Sequence, residues 1–158
     1  MPGPLTIVRE KAGPRHALAA LVKPLVRDGL QCRTMIAIVD DDESVRTSLI
    51  RFLTTAGFRT RGFASGESFL ESSWKFDPPD CLLLDVHMPG PTGLEVHSIL
   101  NSAGAQFPII IMSSDYSPST REQCMHRGAL AYLTKPIDVE ALLRAFTLAL
   151  VKPRHLPG

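Results

Sequence analysis

The sequence has little that would staple or anchor it from outside its own core. Only three cysteines occur in 158 residues, at Cys32, Cys81 and Cys124. That odd count at scattered spacing supplies neither a disulfide framework nor a zinc pattern. Cys81 lies inside an apolar run, where a reduced thiol acts as a small hydrophobe, and a reducing cytoplasmic setting is expected. No apolar run reaches the roughly 20 residues that span a bilayer. HALAALV (16–22) follows a few basic residues, but it is short, precedes Lys23-Pro24 and lacks a small-x-small cleavage site. Neither sign of charge dominates: the formal net charge is +1, so the whole chain offers no argument for nucleic acid. No G-x-G-x-x-G follows the first apolar run, and the three aspartates there would repel a pyrophosphate, which speaks against a dinucleotide enzyme.

The charge that is present is unevenly spread. Residues 1–34 hold six Lys/Arg against two Asp/Glu, and residues 35–158 hold eleven against fourteen, leaving a mildly acidic body. The first 34 residues carry Pro2, Pro4, Pro14 and Pro24 and no sustained periodicity. They read as a disordered or misread leader before a start at Met35, with a basic partner-binding arm as the alternative. Residues 35–151 form the folded domain and 152–158 a tail. After the last helix only VKPRHLPG remains, so no DNA-binding module is expected in this chain, and no membrane association.

From Met35 apolar runs alternate with helical patterns. The strands are IAIVD (36–40), RTRGFA (59–64, weakly alternating, as at an edge), CLLLDV (81–86), PIIIMS (108–113) and AYLTK (131–135). The helices are 44–55, with Val45, Leu49, Phe52 and Leu53 on one face, then 66–71, 94–101, 117–127 and a last one from an Asp138 cap to about Val151. Ala56-Gly57 stops the first helix, and Ser117-Pro118 caps the fourth. Five strands, most of them nearly continuous apolar runs, alternating with five helices predict an α/β doubly wound parallel sheet covered on both faces. In such sheets ligands bind beyond the carboxyl ends of the strands.

The chemistry-bearing residues fall at those ends. The first strand ends in Asp40-Asp41-Asp42-Glu43, the third in Asp85, the fourth in Ser113-Ser114 and the fifth in Thr134-Lys135-Pro136. Each has a plain reading: acids at a helix N-terminus, turn serines, a surface Lys-Pro. Together they describe a carboxylate cluster suited to a hard cation such as Mg²⁺. The neighbouring lysine and hydroxyl suit an anion with three oxygens, such as a phosphoryl group. His87, His97 and His126 match no zinc spacing, and His97 is placed on a helix surface.

The stretches IVDDDESVRTSL, AGFRTRGFASGESFL, CLLLDVHMPGPTGLEV, PIIIMSS and ALAYLTKPID resemble a two-component response-regulator receiver domain, CheY-like and nearest in wording to FixJ-like receivers. The resemblance covers about residues 35–150. It implies a flavodoxin-like (βα)5 fold of strand order 2-1-3-4-5, one of the common doubly wound orders. It further implies that Asp85 accepts a phosphoryl group from a sensor histidine kinase or phosphotransfer protein. Mg²⁺ would be held by Asp41 directly, Asp40 through water, Asp85 and the backbone carbonyl of His87. Lys135 would neutralise phosphoryl oxygens, Ser113 would hydrogen-bond the installed group, and Tyr132 would be the switch aromatic coupled to Ser113. His87 and Asp115 stand where the family tunes phosphoryl hydrolysis, an acid at 115 repelling or orienting the attacking water. Ser114 replaces the usual Gly or Ala. Output would pass through the face of the last two helices and the strand between them, to a downstream protein or a phosphorylation-dependent homodimer. The implied protein is a phosphoacceptor rather than an enzyme. The alternatives are a truncated FixJ/LuxR-type transcriptional regulator lacking its helix-turn-helix, and a docking pseudo-receiver. A haloacid-dehalogenase-type phosphatase would want a second acid at position 87, where a histidine stands.

Overall fold

The structure is a computed structural model that describes residues 34–151. The expected leader, apart from Thr34, and the tail at 152–158 lie outside the described residues, as does Cys32. Five strands, β1 (Met35–Val39), β2 (Arg59–Phe63), β3 (Cys81–Asp85), β4 (Ile109–Ser113) and β5 (Ala131–Thr134), alternate with five helices. These are α1 (Glu43–Thr55), α2 (Gly66–Leu70), α3 (Gly93–Ser102), α4 (Pro118–His126) and α5 (Val139–Val151). The sheet is wholly parallel in the order β2-β1-β3-β4-β5. The expected α/β doubly wound, flavodoxin-like order 2-1-3-4-5 is therefore present.

The apolar runs read as central strands because both their faces are covered, and every residue of β1, β3 and β4 is buried. Alternate side chains serve two cores. Ile36, Ile38, Leu83, Ile110 and Met112 pack with Leu49, Leu53, Leu143 and Phe146 of α1 and α5. Ala37, Val39, Leu82, Leu84 and Ile111 pack with Phe69, Val96, Leu100 and Cys124 of α2, α3 and α4. β2 is an edge strand, as its weak alternation implied, and it keeps no fully buried residue; β5 forms the other edge.

Helix ends follow local chemistry. Asp42 caps α1 by accepting from the Ser44 and Val45 amides, so the third acid of the cluster serves the helix. Gly57 follows at φ 96°, the left-handed turn expected there. Ser117 caps α4 with Pro118 in its first turn, and Asp138 accepts from the Ala141 amide at the start of α5. One expected core residue differs. Phe52 is only half-buried, because Leu53 takes the inward position and Phe52 lies at the margin of the α1–α5 core. Among the described residues no helix is long and apolar enough to cross a membrane.

Candidate functional site

Parallel strands bring their carboxyl ends to one rim, and register fixes what meets there. Asp85 lies opposite Met112, one residue short of Ser113, and Ser113 lies opposite Thr134. The Lys135 amide then donates to the Ser113 carbonyl at 2.7 Å, which sets the lysine just past the end of β5. The loop after Asp85 returns tightly: the Gly93 amide donates to the Val86 carbonyl at 2.9 Å. A Cβ on Gly93 would strike the Asp85 carbonyl oxygen and come within 2.8 Å of the Val86 Cα. Glycine at 93 is thus what lets α3 begin beneath Asp85.

Asp40 and Asp85 are buried and Asp41 is exposed. One carboxylate oxygen from each lies within 4.8 Å of the others. The Lys135 ammonium donates to Asp40 Oδ2 at 2.7 Å and sits 3.3 Å from Asp85 Oδ1. The other Asp40 oxygen, Oδ1, accepts from the Asp42 amide at 2.9 Å. Burial first, and the Asp40 charge second, push the Asp85 carboxyl up to about 7 against the pull of Lys135. Burial works against the Lys135 charge as well, but the Asp40 and Asp85 carboxylates outweigh it and hold the ammonium above its ordinary value. Burial beside a second buried carboxylate is thus what makes Asp85 resist ionisation. The donor set is all oxygen and small, which suits Mg²⁺.

The expected site residues converge: Asp40, Asp41, Asp85, Ser113 and Lys135 share the rim. Ser113 is buried, and its Oγ accepts from the Asp115 amide at 3.0 Å. Tyr132 is buried on β5 and donates to the Asp115 carbonyl at 2.7 Å. His87 is exposed on the loop after β3.

One expectation changes, and Asp115 gains local partners that the sequence does not show. The Asp115 carboxylate accepts from the Ser117 amide at 2.7 Å and from Thr120 Oγ1 at 2.6 Å. These bonds to Thr120 and Ser117, with a smaller contribution from the His87 charge, hold its carboxyl below the usual range. Asp115 therefore braces the start of α4. His97 is not on a helix surface. It is 1% exposed on the inner side of α3, with Nδ1 buried and without a hydrogen-bond partner. Burial first, then the nearby Arg127 charge, lower its pKa.

Three residues outside the expected set also shape the site. Arg46 of α1 donates from Nη1 to the Asp40 carbonyl at 2.8 Å, a helix position that reads as plain surface. Gly93 is visible in the sequence only as part of a motif, without its steric reason. Tyr116, in the β4–α4 loop, donates to the Lys135 carbonyl at 2.7 Å, a contact between segments with no local pattern to announce it.

The fold and this rim define the class: residues 36–147 match the family model described as the response regulator receiver domain, and the chain belongs to that family. The "Transcriptional regulatory protein FixJ" of Azorhizobium caulinodans is 33% identical over 115 residues, 73% of this chain and 54% of that protein. "Response regulator MprA" of Mycobacterium ulcerans is 42% identical over 108 residues, 68% of this chain and 46% of that protein. The chain thus spans about half the length of these curated relatives. Among solved structures, FixJ-N superposes with a TM-score of 0.70 at 27% identity, covering 83% of this chain and all (100%) of that one. The Vibrio cholerae chemotaxis protein CheY4 superposes with a TM-score of 0.66 at 28% identity, covering 74% and 98%.

Proposed function

We propose that this receiver domain accepts a phosphoryl group on Asp85 from a phosphohistidine of a sensor histidine kinase or phosphotransfer protein, as a phosphoacceptor rather than an enzyme acting on a separate substrate. The observation that carries this reading is the convergence of Asp40, Asp41 and Asp85 within 4.8 Å, with the Lys135 ammonium 3.3 Å from Asp85. Asp85 attacks phosphorus through a carboxylate oxygen. The new O–P bond replaces the donor's N–P bond, and the leaving imidazole nitrogen keeps the electron pair and takes up a proton. Asp40, Asp41, Asp85 and the backbone carbonyl of His87 would hold Mg²⁺, which when bound offsets charge on the transferring oxygens. Lys135 shifts from its Asp40 and Asp85 pairs toward the added phosphoryl oxygens. Ser113 keeps accepting from the Asp115 amide while its hydroxyl proton turns to the phosphoryl group. Tyr132, tied to the same loop through the Asp115 carbonyl, passes a change at Ser113 to the α4–β5–α5 face. There a downstream protein, or a second copy of the chain, reads the state. The reading places the protein in the cytoplasm.

A second reading has the same chemistry serving as the input half of a longer transcriptional regulator. It is favoured by the likeness to FixJ, about half of whose length is matched.

The test is incubation of the folded chain with acetyl phosphate and Mg²⁺, read by intact mass. A labile phosphate adduct absent from Asp85→Asn and from EDTA-treated protein is expected. A folded wild-type chain that takes no adduct would leave a docking pseudo-receiver instead.

A further inference from the structure

Two tyrosine hydrogen bonds run in opposite directions between the same two segments. Tyr132 on β5 donates to the carbonyl of Asp115 in the β4–α4 loop, and Tyr116 in that loop donates to the carbonyl of Lys135 just after β5, each at 2.7 Å. The first involves a buried tyrosine. The second does not: Tyr116 is 71% exposed, so its ring contributes little to the core and its hydroxyl is its main tie to the domain.

The two segments these bonds join carry Ser113 at the end of β4 and Lys135 just past β5, the two residues that flank the acidic rim. Ser113 anchors the loop from one side, through its Oγ accepting from the Asp115 amide at 3.0 Å. Lys135 lies on the other side, with its amide on the Ser113 carbonyl and its carbonyl on Tyr116. The path from Ser113 through residues 114–116 to Lys135 therefore closes on itself. Without the Tyr116 bond, the Lys135 backbone is held to β4 by its amide alone. Its ammonium is already shared between Asp40 at 2.7 Å and Asp85 at 3.3 Å, a lopsided bridge that a small backbone shift would change.

We infer that Tyr116 is a positioning residue for Lys135: its hydroxyl fixes the lysine carbonyl so that the ammonium meets the phosphoryl group on Asp85, and closes the β4–α4 loop over that group. The inference rests on the phosphoacceptor reading above. Tyr116 makes its hydrogen bond to the Lys135 carbonyl and not to the carboxylates, so its hydroxyl acts on phosphoryl affinity through Lys135 and on the cation only through the changed Lys135 bridge to Asp40 and Asp85. The larger effect on phosphoryl affinity separates positioning from general support of the fold, which would weaken both together.

The experiment compares wild type, Tyr116→Phe and Tyr116→Ala, with beryllofluoride as the phosphoryl mimic and Mg²⁺ titrated separately. Tyr116→Phe keeps the ring and removes only the hydroxyl. Loss of one hydrogen bond from a partly solvated site is worth about threefold to tenfold in an equilibrium constant. Beryllofluoride affinity is expected to fall by that factor, about equally in Phe and Ala, and the aspartyl phosphate to be lost faster by a similar factor. Mg²⁺ affinity measured without the mimic is expected to change by less than this factor, and the midpoint of thermal unfolding to fall by no more than the loss of one such bond produces. Amide exchange at residues 114–117, measured without any ligand, is expected to quicken in both variants. A Phe variant indistinguishable from wild type in mimic binding would overturn the inference, as would an equal loss of Mg²⁺ affinity. A wild-type chain that binds no mimic and takes no phosphate would remove the phosphoacceptor reading and this inference with it. A phosphorylated wild type with an unaffected Phe variant removes the inference alone.

Discussion

On the α1–α5 side of the sheet, Ile36, Ile38, Leu83, Ile110 and Met112 meet Leu49, Leu53, Leu143 and Phe146, and Phe58 packs against Phe146 with ring centres 5.9 Å apart. On the opposite side the same strands send Ala37, Val39, Leu82, Leu84 and Ile111 toward three shorter helices. That core includes Trp74, Cys124 and Tyr132, with His97 buried on the inner side of α3. The two long helices bury apolar stripes, whereas α4 has only Cys124 buried and α2 is 5 residues long. The α2–α3–α4 side relies more on discrete bonds: the reciprocal tyrosines, the Asp115 brace, and Arg127, which reaches from the end of α4 to the Leu94 carbonyl and Ser98 Oγ on α3. Apolar packing degrades only by losing volume, while a hydrogen-bonded layer can exchange partners. The side that borders the rim through Ser113 and Tyr132 is the one held by exchangeable bonds.

The largest effect expected from this division is Phe146→Ala. Truncating a fully buried aromatic costs about 3–5 kcal/mol. In urea melts that loss should leave Mg²⁺ affinity unchanged below the transition. A matching loss of Mg²⁺ binding would show that the α1–α5 side holds the rim as well as the fold, and the division would fail.

Next comes the rim itself. The Asp85 carboxyl, raised from 3.8 to about 7, makes ionisation costly in the folded state. The cost is absent at pH below about 4, where both folded and unfolded forms are protonated. It grows as pH rises and is complete above about 7. Asp85→Asn removes it while leaving the Lys135–Asp40 pair intact. The variant should be more stable than wild type by roughly 2–4 kcal/mol at pH 8, since each tenfold weakening of the acid corresponds to about 1.4 kcal/mol. Saturating Mg²⁺ should shrink the gap. Equal stability at pH 8 without metal would mean that Asp85 is already neutralised by Lys135.

His97 should titrate in the opposite sense. Its pKa is lowered by burial and by Arg127, so the unfolded chain takes up the proton first. Wild-type stability should fall as pH drops below about 6.5, the ordinary value for histidine. His97→Leu fits the same apolar setting without the orphaned Nδ1. It should gain about 1–2 kcal/mol at neutral pH and flatten that acid slope. An unchanged slope would assign the acid sensitivity elsewhere.

How much of the molecule is legible in its sequence follows from what each kind of residue signals. Strands buried on both faces announce themselves as apolar runs, and their carboxyl-end residues come with them, so Asp40, Asp85, Ser113 and Lys135 can be placed at one rim. Caps such as Ser117 and Asp138 are local chemistry and are readable for the same reason. The order of the strands comes from family likeness, since periodicity does not encode it. His97 is misplaced because a histidine reads as surface by its residue type, although Leu94 and Leu100 share its face of α3, and the packing of that helix turns it inward. Tyr116 and Arg46 act on backbone carbonyls, which every residue has, so no spacing in the sequence points to their partners. Asp115 looks like a free acid because nothing local shows that Thr120 and Ser117 occupy its oxygens.

The smallest test compares the two sides at matched helix caps. Ser65 closes a capping box with Ser68 at the start of α2. Asp138 accepts from the Ala141 amide at 3.3 Å at the start of α5. Each deletion to alanine removes about 1 kcal/mol of helix stability. In α5 that loss is absorbed, since Leu142, Leu143, Ala145 and Phe146 hold the helix to the sheet, and only its first turn should exchange faster. α2 is 5 residues long and has Phe69 as its one large buried side chain, so Ser65→Ala should release the amides of residues 66–70 together. Loosening confined to one turn in both variants would mean that Phe69 alone secures α2, and that this side of the sheet depends on packing as much as the other does.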